Sequence, residues 1–536
     1  MINMKHIFLS IIAMAFAFSS IAQFEENISL LNNWQDPNAP VLAEWWIASK
    51  YNDVWAETIN GVEYAITGGG LGIYILELKD DNTAEMVQFI PAAYQGNDAV
   101  HRDYHTYNGY LYAVCDEGSG QSTLQIIDIS GLPETAEVVY DSMDLLTRAH
   151  NVFIDTAHAV LYAAGATLPL GQPSNVRVMS LADPENPVLL YDYTDGYAHD
   201  IYVRDNIGYL NQESQMKIVE FSESGYTVLG SITSYPEQGY NHSGWLSEDG
   251  NYYAMCDETH GTNIKLLNVS DPTDIQVVDI FGSGETTNSI VHNVLIKDQY
   301  VFASYYYDGL QIFDISNPEE VVRVGRFDTY LDPNDTSYKG VWGVYPHLES
   351  ERVLASDMQT GLYVFDVDLR PAAYFNYTLA DNGTISLTDN SNWAPTDWSW
   401  TVDGAAVGTG ETFDYTFTES GTYEVCLTAL NMQGIDISCE SIDVAMVVGL
   451  EDLVANKNIQ VTLNNDQLTV QYSLKSDEQI TYSLQDLSGR TLFSQQFEEQ
   501  AGEILRNIDI ANTASNGLII VTLQTANEVW STKVSK

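Results

Sequence analysis

The sequence predicts an all-β protein in which a seven-bladed β-propeller is followed by two smaller β modules. The main observation is a seven-residue pattern that occurs seven times at spacings of about 40 to 52 residues, which indicates an array of equivalent repeats. A second observation is that the seventh repeat breaks off early, while an unmatched strand-like segment lies near the N-terminus. A third is that the periodicity stays typical of β-strands after the repeats end.

The first residues form a candidate export signal. Lys5 is followed by an apolar run from Ile7 to Phe18 and by small residues that end at Ala22, which is the layout of a cleavable signal peptide. We assign residues 1–22 to this signal and expect the mature chain to begin at Gln23. Because later apolar runs are too short to cross a bilayer, the expected location is secreted or on the outer-membrane cell surface.

The charge balance limits the possible partners. The chain carries 74 acidic residues against 21 basic ones, a net charge of -53. Nucleic acids and anionic membrane surfaces would be repelled, so neither is an expected partner. We interpret the acidic surface as a solvated one that would attract divalent cations, and we expect a monomer.

Residues 23–369 contain the repeats. Each copy has apolar residues at its second, fourth, fifth and seventh positions, which indicates a strand buried on both faces. Two strands precede each copy, and a tight turn and an outer strand follow each of the first six, so the repeat predicts a four-stranded antiparallel blade. The copies read GIYILEL from Gly72, TLQIIDI from Thr123, NVRVMSL from Asn175, QMKIVEF from Gln215, NIKLLNV from Asn263, GLQIFDI from Gly309 and GLYVFDV from Gly361.

The ends of the repeat domain predict how the ring closes. The seventh repeat lacks its turn and outer strand, because the chain runs on to Pro371 and a different kind of sequence. Near the N-terminus, DPNAPVLAEWW from Asp36 resembles the turn and outer strand DPENPVLLYDY from Asp183, although no core strand precedes it. We therefore predict that Val41 to Trp46 completes the seventh blade and removes an open edge.

Polar residues recur at one end of the predicted blades. In an antiparallel meander the start of the first strand and the end of the second lie at the same end, so both points should meet at the mouth of the central channel. The first strands begin with Asn52, Arg102, His150, His199, His242, His292 and Trp342. The candidate binding residues are Arg102, Asp103, Asp116, Glu117, Asp257, Glu258 and Trp342, and the candidate metal ligands are His150, His199, His242 and His292.

Two interpretations of these residues stay open. Imidazoles and carboxylates bind Zn²⁺ and other transition metals, and carboxylates suit Ca²⁺. Paired carboxylates can also act as acid and base when they lie about 5 to 9.5 Å apart. The structural alternative is that the repeated His is similar to the His of WD-type propellers, which ties neighbouring strands together, and that the carboxylates satisfy loop amides. The sequence has no G-x-S-x-G, H-E-x-x-H or P-loop pattern.

The four cysteines divide by context. Cys426 and Cys439 flank a predicted hairpin turn, which sets them opposite each other on adjacent strands. A disulfide is expected there in an exported protein. Cys115 and Cys256 occupy equivalent places in the second and fifth repeats, too far apart to bond, and are expected as buried free thiols.

The repeat domain resembles the LVIVD-repeat propellers of the choice-of-anchor B family. The resemblance covers nearly the whole domain, and His101 stands where a Trp is more usual. It implies an exported protein with a variable C-terminal anchor, and it implies no particular chemistry. The segments that carry it are YNDVWAETINGVEYAITGGGLGIYI, HRDYHTYNGYLYAV, YNHSGWLSEDGNYYAMCDE and FDTYLDPNDTSYKGVWGVYPHLESERVLASDMQTGLYVFD.

Residues 371–446 resemble a PKD domain, an immunoglobulin-like sandwich. The motifs are WSWTVDG from Trp398, with TVDG in place of the usual FGDG, and GTYEVCLTAL from Gly421. The resemblance implies that Trp398 or Trp400 fills the core between the sheets. A spacer role is expected, with carbohydrate contact as the alternative.

Residues 447–536 form a linker and a last small module. ITYSLQDLSGRTLFSQQF, NGLIIVTLQT and the terminal STKVSK resemble the type A sorting domain of the type IX secretion system. The strands around the Ser488-Gly489 turn alternate as in a β-sandwich. The resemblance implies the type IX secretion machinery as a partner, and the alternative is a second spacer.

These features predict an exported surface protein that acts as a noncatalytic binding or adhesion platform for an extracellular glycan or protein. The alternative is a metal-dependent hydrolase at the channel mouth, where a bound Zn²⁺ or Ca²⁺ could activate water. Enzymatic activity is the less favoured prediction, because the sequence lacks a diagnostic catalytic motif. A divalent cation, Ca²⁺ or Zn²⁺, is the candidate cofactor.

Overall fold

The computed structural model describes residues 25–42, 47–118, 120–169, 171–332, 337–380, 382–393, 395–431, 433–445, 459–464, 466–511, 517–525 and 529–535. The described residues form strands and turns without an α-helix, which confirms the all-β class. Consequently they contain no helix that could span a membrane. The predicted signal peptide lies outside the described residues. The chain divides into two compact units, Met1–Leu369 and Arg370–Lys536.

In the first unit the described strands form seven antiparallel sheets. Two N-terminal strands join sheets whose other strands lie much later in the sequence. These are β1 (Glu25–Glu26) and β2 (Ile28–Trp34). The first strands of the seven sheets are β3 (Tyr51–Ile59), β7 (Arg102–Tyr107), β11 (Asn151–Asp155), β15 (Asp200–Arg204), β19 (Asn241–Leu246), β23 (Val294–Lys297) and β27 (Val341–Tyr345). The second strands are β4 (Val62–Gly69), β8 (Tyr110–Cys115), β12 (Val160–Thr167), β16 (Ile207–Asn211), β20 (Tyr252–Asp257), β24 (Tyr300–Ser304) and β28 (Val353–Asp357).

The third strands contain the repeated seven-residue pattern. They are β5 (Gly72–Leu78), β9 (Leu124–Asp128), β13 (Pro173–Ser180), β17 (Met216–Ser222), β21 (Ile264–Asn268), β25 (Leu310–Asp314) and β29 (Gly361–Val367). All five residues of β25 are buried, as expected for a strand covered on both faces. The fourth strands are β6 (Ala84–Pro91), β10 (Glu137–Ser142), β14 (Val188–Tyr193), β18 (Gly225–Ile232), β22 (Gln276–Phe281) and β26 (Val322–Phe327), with β2 as the fourth strand of the seventh sheet.

The seven first strands form a closed ring. Each one contacts the first strands of the two adjacent sheets, and β27 contacts β3. Apolar side chains fill the space between neighbouring sheets, as where Tyr51 and Tyr74 of the first sheet pack with Leu362 and Val364 of the seventh. Sheets that radiate from a central ring and bury both faces have β-propeller architecture.

The prediction that Val41 to Trp46 completes the seventh blade was wrong. The strand that completes the seventh sheet is β2, which pairs with β29 from Ile28 opposite Val367 to Trp34 opposite Leu362. The Asp36 amide donates to Tyr51 Oη at 2.7 Å, so this Asp-Pro segment leads away from the outer strand toward β3. Of the predicted strand, residues 43–46 lie outside the described residues.

The chain continues N-terminal of β2 into the neighbouring sheet. Glu25 and Glu26 of β1 lie opposite Phe327 and Arg326 of β26, which makes the sixth sheet five-stranded. Pairing with the last two repeats therefore fixes the N-terminal segment at two places.

The second unit begins with two facing sheets. Their strands are β30 (Phe375–Leu379), β31 (Thr384–Asp389), β32 (Asp397–Val402), β33 (Ala405–Thr409), β34 (Thr412–Thr416), β35 (Gly421–Asn431) and β36 (Gly434–Val444). Trp400 is fully buried in their core, where its Nε1 donates to Gly410 O at 2.9 Å, whereas Trp398 is partly buried. Cys426 and Cys439 lie opposite each other on β35 and β36 and form a disulfide. In the first unit, Cys115 and Cys256 are free and buried.

The remaining strands form a further three-stranded and a further four-stranded sheet. The apolar core of this module includes Tyr472, Tyr482, Val521 and Trp530. The strands are β37 (Gln460–Asn464), β38 (Gln467–Leu474), β39 (Glu478–Asp486), β40 (Thr491–Glu499), β41 (Gly502–Asp509), β42 (Leu518–Gln524) and β43 (Val529–Ser535).

Candidate functional site

The side chains of the first strands form layers around the centre of the ring, because successive residues of a strand alternate in direction. Each first strand has one residue that was predicted at its start, such as His199. The residue directly after each of these is mostly polar, and the residue three positions after it is mostly aromatic. Because alternate residues of a strand point to the same side, both sets face the channel, and members of both line a central cavity of about 60 Å³. The polar layer is Asp53, Asp103, Asn151, Asp200, Ser243 and Asn293, and the layer beyond it is Trp55, His105, Phe153, Tyr202, Trp245 and Leu295.

Six aromatic rings form a closed circle at one end of these layers. The distances between adjacent ring centroids run from 3.8 to 5.8 Å. The circle consists of His101, His150, His199, His242, His292 and Trp342. The structure thus brings together the four predicted histidines and Trp342, together with His101, which the sequence analysis did not name as a site residue.

Arg102 and Asp103 lie below this circle and face neighbouring sheets. Arg102 is 5% exposed, and its guanidinium donates to Gly69 O at 3.0 Å and Tyr94 O at 2.5 Å. Asp103 accepts hydrogen bonds from Asn151 Nδ2 at 3.0 Å and Val152 N at 2.6 Å. Both side chains therefore tie adjacent sheets together, and both border a cavity of about 30 Å³ beneath the imidazoles.

Asp257 is not among the residues that line the cavity at the mouth. It forms a fully buried ion pair with Lys265 Nζ at 2.7 Å and accepts from Tyr235 Oη at 2.8 Å. The sequence placed it beside Glu258 because the two are adjacent, but consecutive residues point to opposite sides of the chain.

Asp116, Glu117 and Glu258 contact the imidazoles. Asp116 accepts from His150 Nδ1 at 3.2 Å and pairs with Arg148 at 2.6 Å. Burial opposes ionisation of Asp116, but the hydrogen bond and charge of His150 and the Arg148 guanidinium outweigh it and lower the pKa of the carboxyl group. Glu117 pairs with His101.

Glu258 lies on the opposite side of the circle. Its Oε2 is 3.7 Å from His242 Nε2, and its other oxygen accepts a hydrogen bond from Tyr306 Oη. Burial raises the pKa of Glu258 to about 7.

Asp200 belongs to the site although the sequence analysis missed it. Its carboxylate oxygens lie 3.8 Å from His150 Nε2, 3.3 Å from His199 Nδ1 and 3.7 Å from His242 Nδ1. Burial raises its pKa to about 7. The signal was present in the sequence, since Asp200 follows His199 directly and occupies the channel-facing position of its strand.

Burial favours the neutral form of two of the clustered imidazoles. It lowers the pKa of His199 to about 4 and lowers that of His242 well below its usual range, and neutral imidazole is the form that ligates metals. One donor atom from each of His150, His199 and His242 lies within 4.8 Å of the others. A second such group consists of His242, Glu258 and His292.

Above the imidazoles lies a cavity of about 550 Å³. Aromatic side chains form much of its wall, and three imidazoles and two carboxylates provide polar groups. The lining residues are Ile47, Val100, His101, Asp116, His150, Tyr197, His199, Tyr240, Glu258, Thr259, Tyr306, Tyr338 and Trp342. This arrangement suits a ligand with both apolar and hydroxyl or charged groups.

Comparison with known proteins identifies one module. Residues 373–447 match the PKD domain family, whose members are typical of extracellular proteins. The curated proteins include no match to the chain.

Solved structures similar to this chain share little sequence with it. The β-propeller domain of Cps50 (Swd1) from Myceliophteria thermophila is 13% identical with a TM-score of 0.43, covering 63% of this chain and 99% of its own. The U3-55K structure is 9% identical with a TM-score of 0.45, covering 63% and 98%. A protein from Lactobacillus plantarum is 11% identical with a TM-score of 0.42, covering 85% and 99%.

Proposed function

We propose that the protein is an exported, noncatalytic binding protein whose ligand occupies the mouth of a seven-bladed β-propeller. The observation that carries this proposal is the cavity of about 550 Å³ at the end of the ring. Its volume lies within the range of about 300 to 1,000 Å³ found for ligand sites, and it combines an aromatic wall with a few converging polar groups.

The lining favours a glycan as the ligand. Tyr197, Tyr240, Tyr338 and Trp342 line the cavity, and aromatic rings pack well against the apolar face of a sugar. The carboxylates and imidazoles offer acceptors and donors for its hydroxyl groups. A protruding loop of a protein is the alternative occupant.

The rest of the chain fits an extracellular role. The repeat resemblance to choice-of-anchor B propellers and the predicted signal peptide, residues 1–22, support export. The PKD domain would act as a spacer. The resemblance of residues 447–536 to a sorting domain supports passage through the type IX secretion machinery to the cell surface or the medium.

A metal-dependent hydrolase is the second candidate. It is favoured by the convergence of His150, His199 and His242 and by Glu258, whose raised pKa of about 7 suits a general base. Hydrolysis of ester, phosphoester and glycoside reporters by the metal-loaded chain would support it, and the binding proposal expects none.

The binding proposal is tested by screening the mature chain against immobilised glycans and cell-surface polymers. Tyr197→Ala and Tyr338→Ala should weaken binding about tenfold or more. Tyr197 is exposed and Tyr338 is half-buried, so neither substitution removes a core residue. The matched control is Tyr374→Ala, an exposed tyrosine of the PKD domain, which should leave binding unchanged. Binding that depends on Tyr374 and not on the cavity would move the ligand to the PKD domain.

A further inference from the structure

We infer that the floor of the cavity is a transition-metal site in which His150, His199 and His242 bind one ion. Asp200 supplies the compensating negative charge from the channel side. The inference rests on the proposed function, because the ion would form part of the ligand site.

The unsatisfied nitrogen atoms carry the argument. His199 and His242 are buried, and the Nδ1 atom of each lacks a hydrogen-bond partner among the described residues. A purely structural imidazole would satisfy these atoms, because an unpaired buried polar group is destabilising. Both nitrogens instead face the Asp200 carboxylate at 3.3 and 3.7 Å, where a cation would interact with all three groups.

His292 shows what the structural role looks like in the same circle. Its Nδ1 donates to Trp342 O at 2.7 Å, and this bond links the sixth and seventh sheets. The structural and the metal-binding interpretation therefore apply to different histidines of the circle. His292 ties neighbouring strands together, whereas His199 and His242 have donor atoms left for a ligand.

His150 is oriented as a metal ligand. Its Nδ1 donates to Asp116 Oδ2 at 3.2 Å, and Arg148 holds the same carboxylate at 2.6 Å. A carboxylate that fixes one ring nitrogen and turns the other inward is the usual support of a metal-binding histidine. The inward nitrogen, His150 Nε2, lies 3.8 Å from Asp200 Oδ1.

The donor set indicates the class of ion. Imidazole nitrogens suit Zn²⁺, Cu²⁺, Ni²⁺ and Co²⁺, whereas Ca²⁺ and Mg²⁺ prefer sites made of oxygen atoms alone. Three protein imidazoles leave a coordination position for a further ligand. Because His150 and His199 also line the cavity, that position would be available to an oxygen atom of the bound glycan.

Titration of the chelator-treated mature chain with Co²⁺ tests the site, since visible absorption reports coordination of this ion. We expect saturation at about one equivalent, and an affinity on the order of 100-fold lower in His199→Ala and His242→Ala. His150→Ala should also lose binding, whereas Glu258→Gln should keep it, which separates this group from the one formed by His242, Glu258 and His292. The matched control is His105→Ala, which removes a buried imidazole of the aromatic layer and should bind Co²⁺ normally.

A second measurement uses the unaltered chain, so its result does not depend on whether the variants fold. Anomalous scattering from Co²⁺-soaked crystals of the unaltered chain should show a peak among the three imidazoles. Absence of saturable binding, a peak elsewhere, or binding that survives in His199→Ala and His242→Ala would overturn the inference. Glycan binding without metal would leave the proposed function standing, and metal binding without any cavity ligand would remove that function and keep the metal site.

Discussion

Arg352 Nη2 donates a hydrogen bond to Glu63 Oε2 at 2.7 Å, although the two residues are 289 positions apart. Ser350 donates to the same carboxylate through its amide and its hydroxyl at 2.7 and 2.6 Å. Glu63 lies on β4 of the first sheet, and Ser350 and Arg352 precede β28 of the seventh. This carboxylate therefore joins the first and last repeats where the ring closes.

Loss of this carboxylate should destabilise the ring. Glu63→Ala leaves Arg352 and Ser350 without their buried acceptor, and we expect the free energy of unfolding of the first unit to fall by about 2 to 4 kcal/mol. Calorimetry or denaturant unfolding measures the change. The control is Glu351→Ala, whose side chain is 78% exposed and pairs with Lys297, and which should change stability by about 0.5 kcal/mol or less. Equal effects of the two substitutions would contradict this role.

The same carboxylate should make stability depend on acid pH. Burial opposes ionisation of Glu63, but the hydrogen bonds from Ser350 and Arg352 outweigh it and lower its pKa from 4.5. A lowered folded-state pKa stabilises the fold above the unfolded pKa, and this contribution is lost as the pH falls through the folded value. The stability difference between the unaltered chain and Glu63→Gln should therefore stay constant from about pH 8 to about pH 5 and shrink at lower pH. A difference that grows on acidification would refute the assignment.

The N-terminal strand should be needed for closure. Deletion of residues up to Trp34 removes β1 and β2, which leaves β29 as an open edge and exposes the apolar surface around Tyr74. We expect misfolding or association through that edge, measured by light scattering after size-exclusion chromatography, while a chain that begins at Gln23 stays monomeric. A stable monomer after the longer deletion would show that β2 is dispensable.

The buried pair of Asp257 and Lys265 should affect stability and not ligand binding. Lys265→Met leaves a fully buried carboxylate without its cation, which costs about 3 to 5 kcal/mol. Addition of Asp257→Leu should recover much of this loss. Thermal unfolding and glycan binding measured on the same variants separate the two roles, and a selective loss of binding in the folded double variant would return Asp257 to the ligand site.

The C-terminal module should direct passage across the outer membrane. A chain that ends before residue 447 keeps the predicted signal peptide and should accumulate in the periplasm, because the proposed sorting signal is gone. Fractionation and protease accessibility of intact cells measure its location. The full-length chain is the control, and surface recovery of the truncated chain would exclude a sorting role.

Local patterns sufficed to predict the sheets, because the third strand of each repeat is buried on both faces and its sequence shows this directly. GLQIFDI from Gly309 predicted β25, which the structure places at Leu310–Asp314. The closing strand was harder to locate. The residues of β2 are mostly exposed or half-buried, and their partner lies more than 300 positions away, so the turn-like Asp36 segment gave the stronger but misleading signal.

The residues of the candidate site could be predicted where the repeat places them at equivalent positions. The equivalent histidines of four repeats do meet, since their strands are adjacent in the ring. The sequence could not show that His101 takes the place of Arg102 in the circle. Arg102 is held instead by the Gly69 carbonyl of the neighbouring sheet and by the Tyr94 carbonyl of the segment that precedes its own strand. Prediction of Asp200 required one further inference, namely that strand alternation turns the residue after His199 toward the channel.

The location of a bound glycan tests the proposed ligand site most directly. Crystals of the mature chain soaked with the best-binding glycan from the screen should show its density in the cavity, in contact with Tyr240 and Trp342 and above the imidazoles of His150 and His199. Density on the PKD domain or on the outer edges of the sheets, with the cavity empty at saturating glycan, would contradict the proposed ligand site.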